Sequence, residues 1–189
     1  MLVLAAYCAH GQGTLQFDQQ VNPTTPPGVF QNILPDPSGQ SFTPSLSSIG
    51  FVQFYFTDPG NDGLGSTIAV NLWSGSIGTG TLLDTSTSVS MPDLFTGQST
   101  FFFTTPVGLN PGTTYYLQPV IQSGDSFEIG VGGLTYPNGM AYFQGTAHPN
   151  LDIWFREGIL VPEPSIFSLA ALGTIGLYAV SRHRRKLKS

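Results

Sequence analysis

The sequence predicts an all-β protein: an antiparallel β-sandwich, jelly-roll-like, followed by one C-terminal transmembrane helix. Three observations carry this. Short runs alternate between apolar and polar residues, as half-buried strands do, with turn signals every 8–12 residues. Gly (23) and Pro (15) are abundant while only 9% of residues are charged, a composition of short strands and tight turns rather than of amphipathic helices. Aromatic residues make up 12% of the chain, enough to build a core despite the low charge. The 189 residues divide into 1–11, 12–160 and 161–189. The middle segment is long enough for one domain with a real core.

The strands follow in order. Gly13 to Val21 supplies a first strand, with Leu15 and Phe17 on one face. Asn22 to Gln40 is dense in Pro, Gly, Asn and Asp and reads as a loop or irregular wrap, pinned by Phe30, Ile33 and Leu34. Ser48 to Thr57 is the first strong strand: Val52, Phe54 and Phe56 share one face, and Phe51, Gln53 and Tyr55 the other. Thr67 to Trp73 puts Ile68, Val70 and Leu72 inward and Thr67, Ala69, Asn71 and Trp73 outward. Thr79 to Leu83 is a short strand, Met91 to Gly97 a loop, and Ser99 to Thr105 a strand with Phe101 and Phe103 on one face. Thr114 to Gln122 and Ser126 to Val131 follow, the latter with Phe127, Ile129 and Val131 inward. Met140 to Gly145 and Leu151 to Glu157 complete the set, with Leu151, Ile153 and Phe155 inward and Trp154 outward. The first and last strands are expected to pair, because the termini of such domains lie close together. No helix is expected before Ser165, and no repeat of 20–50 residues suggests a solenoid or propeller.

Charge is segregated. Of the 6 Lys and Arg residues, 5 lie in the last 8 positions, as Arg182, Arg184, Arg185, Lys186 and Lys188; the sixth is Arg156. Residues 12–161 hold 10 acidic residues and 1 basic one, a net charge of 1 − 10 = −9. That acidity argues against nucleic acid and anionic lipid as partners of the domain. Cys8 is the single cysteine, so no intrachain disulfide forms. Met1 to Ala9 is mostly apolar and reads as the end of a signal-peptide core, with Ala9 and Gly11 placed for a cut before Gln12. No basic n-region precedes it, which implies an upstream start or a truncated signal. Lipidation at Cys8 is the rival reading, against which Tyr7 stands where a small residue is needed.

The C-terminal stretch has three parts in fixed order. Val161-Pro162-Glu163-Pro164 is extended, since proline fixes its own φ and biases its predecessor away from helix. The 17 uncharged residues from Ser165 to Ser181 would span about 25 Å as a helix, near the lower limit for a bilayer core. The basic cluster then holds the C-terminus in the cytoplasm. Together these residues resemble the PEP-CTERM sorting signal of bacterial exported proteins; an ordinary single-span anchor with a proline-rich stalk is the alternative. The resemblance covers about the last 29 residues. It implies export, transient membrane anchoring, processing by an exosortase-type membrane enzyme, and delivery to the cell surface. It implies nothing about the domain that precedes it.

Sites of chemistry are few. Asp58 to Gly63, DPGNDG, is the densest carboxylate loop, and Asp58, Asn61 and Asp62 with backbone carbonyls offer oxygens of the kind calcium takes. The other reading is a turn held by Asx hydrogen bonds. His148 is the one histidine of the domain, in a turn sequence and without a Gly-x-Ser-x-Gly elbow elsewhere, so no catalytic residue is assigned and no enzyme is expected. Trp73 and Trp154 are the outward aromatics on which a sugar ring would stack; burial under loops is the competing reading. The function expected is a non-catalytic structural or adhesive role in the cell envelope or extracellular matrix. A carbohydrate-binding module is the alternative. Ice binding is remote, because only Thr79-Gly-Thr81 and Thr85-Ser-Thr87 offer paired threonines.

Overall fold

The structure is a computed structural model that describes residues 13–21, 27–33, 37–133 and 136–162. The chain divides into two compact units, Gln16–Ile159 and the two ends, Met1–Leu15 with Leu160–Ser189. Of the ends, only residues 13–15 and 160–162 are described, and there Gly13 approaches the Leu160 side chain so closely that a Cβ would lie 2.7 Å from its Cγ.

Fourteen strands and no helix occur among the described residues. They are β1 (Thr14–Gln20), β2 (Val29–Asn32), β3 (Gly39–Phe42), β4 (Ser48–Thr57), β5 (Ser66–Ser74), β6 (Thr81–Thr85) and β7 (Val89–Met91), then β8 (Thr96–Gly108), β9 (Tyr115–Gly124), β10 (Glu128–Gly133), β11 (Ala141–Phe143), β12 (Thr146–His148), β13 (Leu151–Ile153) and β14 (Phe155–Val161). They form two seven-stranded sheets, antiparallel at every described pairing. The first runs β1-β14-β4-β10-β13, with β2 on β10 and β8 on β4. The second runs β12-β11-β3-β9-β5-β6, with β7 beside β5. The expected pairing of the first and last strands is present as β1 beside β14.

The core follows from the alternation. Val52, Phe54 and Phe56 of β4 and Phe101 and Phe103 of β8 share one buried cluster with Ile68, Val70 and Leu72 of β5 and Leu117 of β9. Residues of both sheets therefore meet in a single apolar interior, where burying each such side chain contributes about 1.5–3 kcal/mol. Tyr136 rests its ring edge-on against Phe155, 5.2 Å between centroids.

Several expectations are corrected. The stretch from Asn22 to Gln40 is not all loop: β2 lies in it, and β3 begins at Gly39. Residues Val29 to Asn32 gain strand geometry from the facing strand β10, a distant partner that local composition does not reveal. Met91 belongs to β7 and Thr96 and Gly97 to β8, so the loop between them is shorter than expected. The short strand placed at Thr79 to Leu83 lies at Thr81–Thr85, because Ser76 to Gly80 closes a turn with Gly80 N–H donating to the Ser76 carbonyl at 3.1 Å. The expected last strand breaks at Trp154, whose N–H donates to the Gly130 carbonyl at 2.8 Å, so that β13 pairs with β10 and β14 with β4. Ile33 is buried as expected, and Leu34 lies outside the described residues. So does the C-terminal helix; among the described residues no helix is long and apolar enough to cross a membrane.

Candidate functional site

The outer face of the second sheet gathers aromatic rings and carboxamides. In β5 the buried Ile68, Val70 and Leu72 turn Asn71 and Trp73 outward. In β9 the buried Tyr115 and Leu117 do the same for Tyr116 and Gln118. In β11 Ala141 is buried, so Tyr142 faces out. Register then aligns them: Trp73 lies opposite Tyr116 and Asn71 opposite Gln118, while Tyr116 lies opposite Ser41 and Tyr142 opposite Gly39. The small residues of β3 make way for Ile77, which is buried over Gly39, and beside it the Tyr116 and Tyr142 rings meet edge to face, 5.4 Å apart at 78°. Gly39 is required, because any Cβ would collide with the Leu117 carbonyl and approach Ile77 Cδ1 to 2.7 Å. Trp73, Tyr116 and Tyr142 are all half-buried.

Two hydrogen bonds orient the polar groups beside the rings. Trp73 Nε1 donates to Gln118 Oε1 at 2.7 Å. An indole nitrogen only donates, so it fixes the carbonyl end of the Gln118 amide toward itself. The Thr85 hydroxyl donates to Asn71 Oδ1 at 2.8 Å. Each carboxamide thus has its oxygen engaged, and neither NH2 group donates to a described residue. Burial raises the Tyr142 phenol above its usual pKa, and Tyr116 beside it adds to the effect, so that hydroxyl stays neutral at physiological pH.

Trp154 is a correction. The alternation does direct it to the outer face of the first sheet, but it is 5% exposed. Its neighbours cover it: the Tyr55 ring packs edge-on at 5.9 Å, and the Arg156 guanidinium sits 5.0 Å from its ring centre and 5.3 Å from that of Phe17. No sugar ring reaches an indole so enclosed. Trp73 and Trp154 therefore lie on different sheets and share no site.

The acidic loop uses its carboxylates on its own backbone. Asp58, 6% exposed, accepts from Gly60 N–H at 2.9 Å and from Leu94 N–H at 3.1 Å. Asp62 accepts from Leu64 N–H at 2.9 Å, and Gly63, with φ of 83°, donates to Asp93 at 3.1 Å. Asn61 is exposed beside them. Among the described residues no three acidic, histidine or cysteine side chains are placed to hold a metal ion together. His148 stacks edge-on against Phe143 at 5.4 Å.

A carboxyl pair, the buried Glu157 and the half-buried Asp18, went unnoticed in the sequence. Glu157, in β14, is fully buried, and among the described residues neither oxygen has a hydrogen-bond partner of good geometry. Burial, reinforced by the charge of Asp18, pushes its pKa up to about 9. Burial also acts to raise Asp18, but hydrogen bonds from the Ser45 hydroxyl and from the Leu46 and Ser45 N–H groups outweigh it and hold that carboxyl below its usual value. Asp152 belongs to the same polar interior: it accepts from Gln40 Nε2 at 3.0 Å and from Tyr136 N–H at 3.1 Å. Tyr116, Tyr142 and Gln118 also escaped notice, although alternation from Leu117 marks two of them as outward.

Fold and face together define an all-β, antiparallel domain with an aromatic, amide-bearing sheet surface. Its C-terminal region carries a more specific mark: residues 160–185 match the PEP-CTERM protein-sorting motif. No curated protein matches the chain. Val161 and Pro162 stand exposed at the end of β14, whereas Glu163, Pro164 and the basic tail from Arg182 to Lys188 lie outside the described residues. A motif of this kind implies an exported, surface-sorted protein and is recognised by an exosortase.

Proposed function

We propose that this protein is a non-catalytic, surface-sorted jelly-roll domain with a structural or adhesive role outside the cytoplasmic membrane. The observation that carries this is the match of residues 160–185 to the sorting motif at the end of an all-β domain. The strand orders β2-β10-β4-β8 and β3-β9-β5-β6 support the jelly-roll reading, since they are those of the two sheets of such a sandwich. Residues Ser165 to Ser181 anchor the chain in the inner membrane until an exosortase acts at Pro162-Glu163-Pro164. Backbone N–H groups held by the carboxylates of Asp58 and Asp62 support a loop ordered as a turn, in a domain that folds without metal.

The test is expression of the full chain with Pro162-Glu163-Pro164 changed to alanines in a host that has an exosortase. The variant is expected to stay in the membrane fraction while the wild type reaches the surface or medium. Equal release of both would overturn the proposal.

A further inference from the structure

We infer that the outer face of the second sheet binds a neutral polysaccharide through Trp73, Tyr116 and Tyr142, with the Gln118 and Asn71 amides as donors to sugar hydroxyls. This rests on the reading of the domain as an adhesive surface module and names its ligand.

Three features point to an uncharged glycan. The rings of Trp73, Tyr116 and Tyr142 present apolar surface at the sheet's outer face, where the C–H face of a sugar ring can lie against them. In the next row along the same strands stand two carboxamides whose oxygens are already held by the Trp73 indole and the Thr85 hydroxyl. What remains of each is an NH2 donor, and Gln118 is only 5% exposed, so its donor lies in the floor of the face rather than in open solvent. That nitrogen is not sealed from solvent, so a sugar hydroxyl can take the place of the water it meets. Finally, Arg156, the one basic side chain of residues 12–161, lies on the other sheet, and the net charge of those residues is −9. An acidic polymer would be repelled.

The geometry also sets the length of the ligand. From β5 through β9 and β3 to β11 there are three interstrand steps, about 14 Å. Because the Tyr116 and Tyr142 rings lean together to 5.4 Å, the rings from Trp73 to Tyr142 span less than that strand separation and bracket a short run of linked sugar units. The chain of the glycan runs across the strands.

The experiment is affinity electrophoresis of the full chain, in mild detergent, through gels containing dextran, xyloglucan, mixed-linkage β-glucan or alginate. Retardation by at least one of the three neutral polymers is expected, with none by alginate. Trp73→Ala and Tyr142→Ala are each expected to weaken retention at least tenfold. The exposed Phe102→Ala, on the other sheet, leaves it unchanged. Tyr142→Ala lies in a short hairpin, so it keeps the test valid should Trp73→Ala fold poorly. Retention by no neutral polymer, retention indifferent to both variants, or retention by alginate alone would overturn the inference. So would a wild-type dimer in sedimentation that Tyr142→Ala dissociates without any glycan binding, which would assign the face to a second copy of the chain. None of these outcomes touches surface sorting, which the motif variant tests separately.

Discussion

The outer faces of the two sheets are built from the same alternation and end differently. On the first sheet, Phe51 and Gln53 of β4, Phe102 of β8, Phe17 of β1 and Trp154 beside β14 all point outward, yet Phe51 is fully buried and Trp154 nearly so. The reason is crowding: Phe17 packs edge-on to Phe51 at 5.5 Å, Phe102 lies 6.3 Å from it, and Arg156 spans Phe17 and Trp154. On the second sheet, Ile77 covers Gly39 and Ser41 is buried, while Trp73, Tyr116 and Tyr142 remain half-buried. Direction of a side chain thus comes from its own strand, whereas exposure comes from the strand next to it. The first face buries Phe51 and Trp154 beneath the exposed Phe17 and Phe102, whereas the second leaves Trp73, Tyr116 and Tyr142 half-buried.

The largest test of that difference is a pair of truncations. Trp154→Ala removes a ring enclosed by Tyr55 and Arg156 and is expected to cost about 3–5 kcal/mol, as large buried aromatics do. Urea denaturation should show Trp73→Ala costing clearly less. Equal losses would mean that the second face is as closed as the first.

The sheets also differ in pH response, because the pair of Glu157 and Asp18 lies between strands of the first. Glu157 is raised from an ordinary 4.5 to about 9, so the folded state holds a proton that the unfolded chain releases. Its contribution to stability is complete below pH 4.5 and is lost as pH rises through about 9. The slope across that window reaches at most ~1.4 kcal/mol per pH unit. Asp18 has the opposite sign: its contribution is present above 3.8 and is lost as pH falls through its lowered value. Glu157→Gln should flatten the alkaline decline of the melting temperature and protect the amides of β1 and β14 from exchange. A variant that declines as steeply as wild type would remove Glu157 from the account.

A smaller effect is expected for Arg156→Lys. Lysine keeps the charge but cannot lay a flat guanidinium against two rings. The loss should be about 0.5–2 kcal/mol, the range of a cation resting on aromatic faces. Stability unchanged by the swap would show that packing by the aliphatic stem, not the ring contacts, closes the first face.

The limits of legibility follow the same line. Val52, Phe54, Ile68, Leu72 and Phe155 could be placed inward from sequence, since period-two alternation is a local property. The pairing of β1 with β14 was also accessible from the closeness of sandwich termini. Strand β2 was not, because Val29 to Asn32 owes its geometry to β10, about a hundred residues away. Nor was the fate of Trp154: its outward direction was readable, but its cover comes from Tyr55 on β4. Glu157 looked like an ordinary charged residue near a strand end, and only the approach of β1 makes it a buried acid. For the candidate face, Trp73 was readable alone, while its partnership with Gln118, Tyr116 and Tyr142 required the register of four strands.

The smallest expected effect on stability is the most informative about the second face. Trp73→Phe keeps an apolar ring opposite Tyr116 but deletes the indole N–H. Gln118 Oε1, in a side chain 5% exposed, then loses its one described donor. The cost should be about 1 kcal/mol, the typical loss when a hydrogen bond to a buried carbonyl goes unmade. Retention on a neutral polysaccharide depends on which half of Trp73 matters. If the ring supplies the contact and the N–H only aims the amide, Trp73→Phe keeps most of the retention that Trp73→Ala loses. If the amide's orientation is decisive, the freed Gln118 side chain can rotate its oxygen outward, and Trp73→Phe should bind as poorly as Trp73→Ala while unfolding at nearly the wild-type urea concentration. Adding Gln118→Leu to Trp73→Phe separates the two: it removes the stranded oxygen, so stability should recover, and retention should stay at the single-variant level if stacking alone carries it.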